Sequence, residues 1–303
     1  MSYRIKRFSS LVLNTKMGLG FDKNRKYDTD LDRLGRMETA QSELRKTGTL
    51  NQELRKAKKE KRMDRFSIVI ERQEQLEALI KEWGFLPFFK NGIAGFSIEE
   101  MTPPELLFGD EMENGPWQWK GPIIGNWESA YGKFFQKKAG YISLEWLSDF
   151  INWRRSLYPL KKETKDARHI HEVLVENESM LSKQLKVASG FTLSRKKSKF
   201  NPDDSTERIV NKKNGMAFDA LIAQLQMGTH VCIADFEYLV SKKGETYGWG
   251  VARYCTPEAM YPDLFPLKDR VEGRTPKQSR MRIIDHLQGL FPDVNRAKIE
   301  KLI

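Results

Sequence analysis

Two groups of side chains in this sequence have the types and spacing to act on a nucleic acid. The first is the aromatic run Trp117-Gln118-Trp119-Lys120, which Glu128 and Tyr131 follow. Indole rings hold unstacked bases, and a nearby carboxylate stabilises a cationic sugar or orients a water molecule. Trp117, Trp119, Lys120 and Tyr131 are therefore candidate substrate-binding residues, and Glu128 is the candidate catalytic residue. The alternative is that the tryptophans belong to a hydrophobic core.

The second group consists of basic side chains in the C-terminal half. Nine basic residues lie between Leu181 and Lys213, where only three acidic residues oppose them. Such side chains neutralise phosphates, and the net charge of +11 favours a polyanionic partner. The candidate nucleic-acid-binding residues are Lys183, Lys186, Arg195, Lys196, Lys197, Lys199, Lys212, Lys213, Lys242 and Lys243, with Asn214 and Gln224 as polar positions on a helix.

Residues 168–254 have the pattern of a winged helix. Apolar residues at helical spacing predict helices over 167–176, 179–189 and 214–227. Alternating, β-branched sequence predicts strands over 229–240 and 246–254, joined by a turn at 241–245. The third helix is expected to enter the major groove of double-stranded DNA, while the connection before it and the tip of the wing contact phosphates.

Composition divides the rest of the chain. Residues 1–65 are basic and predict a charged helix or a mobile arm. Seventeen aromatic residues between Trp83 and Tyr158 predict a compact domain over 66–160, in which Ser143 caps a helix. Residues 161–167 are predicted to be a linker, and Thr275-Pro276 predicts the start of a helix in the extension 255–303. The expected fold is mainly α (α+β), with an aromatic-rich N-terminal helical domain followed by a C-terminal winged helix with a two-stranded wing.

Several classes of function find no support in the sequence. Cys232 and Cys255 form no CxxC pair and are expected to be buried free thiols on the two strands of the wing. No HExxH, GxSxG or phosphate-loop motif occurs, so we expect neither a metal nor a cofactor. The sequence has no signal peptide and no apolar run of membrane-spanning length, which predicts a cytoplasmic protein without a membrane partner. Its oligomeric state is not defined by these patterns.

Several longer runs resemble a known family. They are Gly84–Lys90, Gly115–Lys120, Ala130–Phe135, Lys138–Ser143, Ala234–Tyr238 and Tyr247–Tyr254. Over roughly residues 70–303 the chain resembles bacterial winged-helix proteins labelled as related to the AlkZ (YcaQ-like) DNA glycosylases. This resemblance implies a setting in DNA repair, and the glycosylases themselves use a Gln-hydrophobic-Gln motif to position the attacking water. Gln224-Leu225-Gln226 fits that motif by its letters and lies at the end of the predicted third helix.

Three functions remain open at this point. We expect a DNA-binding winged-helix protein in a repair-related, glycosylase-like role, in which phosphate capture precedes presentation of a base to Trp117, Trp119 and Glu128. One alternative is a non-catalytic transcriptional regulator that binds palindromic duplex sites. The other is a protein-interaction module whose basic surface confers only solubility. The residues alone do not decide whether the chain is a DNA glycosylase.

Overall fold

The computed structural model describes residues 65–108, 115–197, 205–210, 216–240 and 246–303, with the backbone alone for 192–197, 205–210, 239–240 and 246–249. The arm predicted over 1–65 lies outside this part, apart from Arg65. The strands are β1 (Phe85–Pro87), β2 (Ser129–Phe135), β3 (Lys138–Ser143), β4 (Ser179–Leu181), β5 (Thr192–Lys197), β6 (Ser205–Val210), β7 (Cys232–Val240) and β8 (Thr246–Cys255). Six of them form one antiparallel sheet in the order β1-β3-β2-β7-β8-β4, and β5 pairs with β6.

Helices cover both faces of the main sheet, which makes the fold a mixed α and β one. They are α1 (Gln73–Trp83), α2 (Ile98–Met101), α3 (Pro104–Leu107), α4 (Lys120–Gly125), α5 (Leu144–Leu157), α6 (Lys165–Glu176), α7 (Ser182–Ala188), α8 (Phe218–Met227), α9 (Pro257–Met260), α10 (Leu267–Arg270), α11 (Pro276–Leu290) and α12 (Arg296–Leu302). The longer ones bury one apolar stripe; α1, for example, buries Leu76, Leu79, Ile80 and Trp83.

The aromatic-rich segment is not the helical domain that its composition predicts, because it contributes β1, β2 and β3. Helices α4, α5 and α8 all pack on β2, and six of its seven residues are buried. A strand buried on both faces lacks the alternation that marks a half-exposed strand, so its sequence resembles that of a buried helix. The turn to β3 is formed by Gln136 and Lys137 at φ 51° and 64° rather than by glycine or asparagine.

The C-terminal extension packs on this segment through a buried carboxylate. Asp149 of α5 accepts hydrogen bonds from the Nε atom of Arg274 at 2.9 Å and the hydroxyl of Ser279 at 2.6 Å, and it pairs with Arg282 at 2.5 Å. Helix α11 begins after Thr275, whose hydroxyl accepts from the backbone of Gln278, so the predicted helix start is confirmed. Ser143 does precede α5, but its side chain makes no capping hydrogen bond.

The segment predicted as a winged helix contains helices and a hairpin near the predicted positions, but its second element differs from the prediction. Ser179–Leu181 is a strand that pairs with β8, so only Ser182–Ala188 of the predicted helix is helical. Cys232 and Cys255 are register partners in β7 and β8, and their Sγ atoms lie 3.4 Å apart. Both are buried free thiols, as expected.

Helix α8, the third predicted helix, is nearly enclosed by the rest of the fold. Asp219 is its only exposed side chain, and Leu221 and Leu225 belong to the core. The helix packs on β2 and α6. A helix reads base edges with an exposed polar stripe, and α8 has none. Its burial therefore opposes the expectation that this helix enters a major groove.

Between α7 and α8, where the sequence suggests a basic connection, the chain forms the β5–β6 hairpin. Its register pairs Arg195 with Glu207 and Lys196 with Thr206. Because charged residues occupy successive positions here, the sequence lacks the alternation of apolar and polar residues that usually indicates a strand. This hairpin belongs to neither the predicted helices nor the predicted wing.

The main sheet runs without interruption across the predicted linker at 161–167. Strand β2 pairs with β7 through Tyr131 and Ile233, so strands from both sides of that linker share one sheet. Helix α8 also packs on β2. The aromatic-rich segment and the segment with the winged-helix pattern therefore share a continuous core.

Candidate functional site

An amine enclosed by aromatic rings lies at the start of α4. The Nζ atom of Lys120 is 3.2 Å from the centroid of the Trp117 ring and 4.4 Å from that of Phe236. The residue is only 3% exposed. Burial lowers the pKa of this amine to about 7, and no carboxylate in the described part of the chain pairs with it. About half of an amine with such a pKa is neutral at neutral pH, and the lone pair of the neutral form can act as a base or a nucleophile.

Backbone and side-chain hydrogen bonds before α4 hold this amine in place. The amide of Gln118 donates to the carbonyl oxygen of Phe108 at 2.6 Å, and its Oε1 atom accepts from the backbone of Gly115. The backbone of Trp117 donates to Leu107 at 3.2 Å. Helix α4 then packs on β2 and β7, which brings Lys120 against Phe236 of β7.

Two buried tyrosines lie next to the aromatic rings. Tyr131 and Tyr141 are register partners, their ring centroids are 4.7 Å apart, and Tyr131 also contacts Phe236 at 5.9 Å. Burial raises the pKa of both phenols, so both stay neutral at ordinary pH. Tyr131 is 2% exposed, so its predicted contact with substrate is not available at the surface.

A small open cleft, with room for about one water molecule, lies at the opposite end of α4. Its lining residues are Glu77, Ile80, Lys81, Ile123, Asn126, Glu128 and Ser129. The Oε1 atom of Glu77 accepts hydrogen bonds from the amides of Asn126 at 2.7 Å and Gln73 at 2.8 Å. The cleft combines an apolar floor with two carboxylates and an amide.

Trp127, next to the cleft, has an unusual backbone for its size. Its φ is 59°, a left-handed conformation that is strained for a bulky residue, and its side chain is 56% exposed. The ring meets the edge of Tyr261 at 6.3 Å, and the Tyr261 hydroxyl donates to the carbonyl of Ser129. Strained backbone concentrates at binding sites, and an exposed indole is a stacking surface. Adjacency to Glu128 was the one sequence signal that distinguished this tryptophan from the others.

The predicted base surface of Trp117, Trp119 and Glu128 does not come together as one site. Trp119 is 8% exposed and belongs to the core, as the alternative for the tryptophans expected. Trp117 is half-buried against Lys120, whereas Glu128 is exposed at the cleft. The exposed tryptophan next to Glu128 in the chain is therefore Trp127, and not Trp117 or Trp119 as predicted.

The predicted phosphate-binding residues fall into three groups. Lys183 is exposed on α7, whereas Lys186 is buried and its Nζ lies 3.2 Å from Asp219. Because Asp219 neutralises Lys186, that lysine is not available to a phosphate. Arg195, Lys196 and Lys197 lie on β5. The remaining candidates, Lys199, Lys212, Lys213, Asn214, Lys242 and Lys243, lie outside the described residues.

Both glutamines of the Gln224-Leu225-Gln226 run are bonded inside the fold. The amide of Gln224 donates to Glu163 at 2.5 Å, and burial raises the pKa of that carboxyl group. Gln226 is fully buried, and its Oε1 atom accepts from the backbone of Lys133 at 2.9 Å. Neither amide lines the cleft.

Within the described ranges, no cluster of three or more histidine, cysteine, aspartate and glutamate side chains could hold a metal ion. The helices described there include none long and apolar enough to cross a membrane.

Comparison with known proteins gives one match. Residues 70–303 match the family model described as AlkZ related. No curated protein and no solved structure matches the chain.

Proposed function

Because the chain belongs to the AlkZ-related family, we propose that it binds double-stranded DNA through a winged helix and acts in a repair-related, glycosylase-like role. The family name points to DNA glycosylases, which take a base out of the duplex before they act on it. The observation that carries the proposal is the exposed ring of Trp127, which directly precedes Glu128 of the cleft in the chain. This is a stacking surface next to a carboxylate, as base capture requires.

Element order supports a winged helix. From α6 to β8 the chain runs helix, strand, helix, helix, strand, strand, apart from the inserted β5–β6 hairpin. The short strand β4 pairs with β8, and β8 pairs with β7. A winged helix-turn-helix module has the same order of elements and the same pairing of its first strand with its last, which supports the proposal.

The charged segments suggest how the module meets DNA. Since α8 is enclosed, phosphate contacts fall to the β5–β6 hairpin with Arg195, Lys196 and Lys197, and to the exposed Lys183. Lys242 and Lys243 would add contacts from the wing. Contacts of this kind fix the protein on the duplex without reading its sequence.

Trp127 and the cleft would receive the unstacked base. Stacking on one indole contributes about 1–3 kcal/mol and does not depend on base identity. The carboxylates of Glu77 and Glu128 line the same cleft and accept hydrogen bonds from exocyclic amines. Glu128 would also stabilise the positive charge that develops on a sugar when its base leaves.

Salt dependence tests the phosphate contacts. Binding to duplex DNA is expected to weaken steeply with salt, with a slope of about −0.9 per phosphate neutralised. Replacing Lys196 and Lys197 together with alanine should reduce that slope by about 2. Fluorescence anisotropy at four salt concentrations measures it.

The control is the double alanine variant of Lys137 and Lys138, which removes the same charge from an exposed turn. An equal reduction of the salt-dependence slope in both variants would mean that DNA binding depends only on the net charge of the protein. If the wild-type chain does not bind duplex DNA, the remaining function is that of a protein-interaction module. Salt-sensitive binding without preference for a damaged or unpaired base would favour the transcriptional regulator.

Trp127 gives a second prediction. Trp127→Gly removes the ring and tolerates the left-handed backbone, so the fold should keep its thermal midpoint. Affinity for a duplex with one unpaired base is expected to fall about 5- to 100-fold, as loss of a stacked base predicts. Affinity for a fully paired duplex should not change.

Trp127→Phe retains an aromatic face and should keep most of the preference for the unpaired base. Equal weakening on both duplexes would show that Trp127 acts in general binding and not in base capture. Release of a damaged base that survives Glu128→Gln and the alanine variants of Gln224 and Gln226 would remove these residues from the chemistry.

A further inference from the structure

Lys120 stands out among the described residues as a buried cation without a polar partner. The other buried cationic side chains in that part of the chain all have one: Arg154 donates to three carbonyl oxygens, Lys186 pairs with Asp219, and Arg65 pairs with Asp293. Lys120 has only the faces of Trp117 and Phe236. Cation–π attraction is worth about 0.5–2 kcal/mol, whereas removing an ammonium group from water costs several kcal/mol. Methionine would fill the same space without that cost, so packing does not explain an amine here.

These surroundings make the amine reactive. With its pKa near 7, about half of the Lys120 side chain is neutral at neutral pH. An exposed lysine is neutral there in well under 1% of molecules. The titratable groups nearby are the phenols of Tyr131 and Tyr238 and the exposed carboxylate of Asp235, next to Gly121. None of them forms an ion pair with Lys120, so the neutral form persists.

The side chains that enclose the amine are themselves partly exposed to solvent. Trp117 and Phe236, which enclose it, are themselves half-buried, and Asp235 beside them is exposed. Trp117 also packs against Phe88 and Phe108, so the Nζ atom meets solvent only when one of the enclosing rings moves. The same helix links this amine to the base-binding cleft, because Trp127 follows Lys120 by seven residues, or about 10 Å along α4 and its last turn.

We propose that Lys120 forms an imine with the open-chain aldehyde of an abasic deoxyribose in DNA. The neutral amine attacks the aldehyde carbon, a C–N bond forms, and a proton moves from nitrogen to oxygen. The resulting carbinolamine loses that oxygen as water and becomes the imine, which hydrolysis returns to amine and aldehyde. The identity of the aldehyde rests on the proposed function, whereas the reactivity of the amine rests on its burial between the two rings.

Reductive trapping tests the step directly. The full-length protein is incubated with sodium cyanoborohydride and a labelled duplex that contains one abasic site, and covalent complexes are separated on a denaturing gel. The wild-type protein should be trapped, and peptide mass spectrometry should find the adduct on Lys120. Lys120→Met should reduce trapping at least 10-fold, while Lys137→Met, which removes an exposed amine, should not.

Two further measurements separate this inference from the proposed function. Affinity of the wild-type protein for the same duplex, measured without reductant, reports DNA binding apart from the covalent step. Formaldehyde with cyanoborohydride at pH 7 should methylate Lys120 before the exposed Lys137, without any DNA. Wild-type protein that binds the abasic duplex but is not trapped, or is trapped on another lysine, overturns the imine. Absence of DNA binding overturns the proposed function and the abasic ligand together, even if methylation at Lys120 is fast.

Discussion

Arg154→Met is expected to lower the free energy of unfolding by about 3–5 kcal/mol, because three backbone oxygens, two of them buried, would each lose a charged donor. The guanidinium donates to Met227 at 2.9 Å, to Ile303 at 2.8 Å and to Phe134 at 2.7 Å. It therefore joins α5 to the ends of α8 and α12 and to β2. Chemical denaturation followed by tryptophan fluorescence measures the loss, and the thermal midpoint should fall by roughly 10 °C.

Arg296→Met is the matched control, because Arg296 bonds to Asp285, Glu300 and the sulfur of Met281 at the surface. Its denaturation midpoint is expected to stay close to that of the wild type, since surface ion pairs contribute little. Arg154→Lys keeps the charge but loses the planar donors, so its denaturation midpoint should lie between those of Arg154→Met and Arg296→Met. A wild-type midpoint for Arg154→Met would mean that the three carbonyl groups find water or other donors.

Lys120→Met should have the opposite effect and stabilise the protein at neutral pH. The pKa of this amine is about 7 in the folded chain, whereas the ordinary value for a lysine is 10.5. That difference corresponds to about 5 kcal/mol at most, and cation–π attraction to Trp117 and Phe236 opposes it. We therefore expect the free energy of unfolding to rise by about 2–4 kcal/mol at pH 7.

The pH dependence gives the sign of this effect. Between pH 7 and 10.5 the unfolded chain binds a proton at Lys120 that the folded chain does not bind. The contribution of this residue to stability is therefore least favourable below pH 7 and improves as the pH rises towards 10.5. The free energy of unfolding of Lys120→Met should lose this rise with pH, whereas that of Lys137→Met should keep it. Urea denaturation at pH 6, 7, 8 and 9 measures both, and a destabilised Lys120→Met would show that the amine has a favourable partner.

Local sequence signals predicted the elements that depend on local physics. The apolar stripe of α6 and the Thr275 cap of α11 both arise from residues within a few positions of one another. The strands β2 and β3 depend on distant parts of the chain, since α4, α5 and α8 pack on β2, and α1 and α5 pack on β3. Their burial pattern is therefore continuous and carries no period of two. The split of 179–189 into β4 and α7 likewise follows from pairing with β8, more than 70 residues away.

The candidate site was predictable in residue type but not in arrangement. Lys120 and Glu128 were both singled out from the sequence, yet the fold places them at opposite ends of α4. Adjacency to Glu128 marks Trp127 in the sequence, but only the fold shows that the ring of Trp119 lies in the core and that of Trp127 is exposed. The lack of a carboxylate partner for Lys120 among the described residues is likewise a property of packing that no local pattern records.

The pairing of Tyr131 with Ile233 means that the two halves of the chain complete each other's sheet. A protease that cut at the exposed Lys161 and Lys162 would leave two pieces, each with an open strand edge. Open edges pair with the nearest available strand. The nicked chain is therefore expected to stay together as a complex, whereas either piece produced alone would aggregate. In evolutionary terms, neither half could have been gained or exchanged without the other.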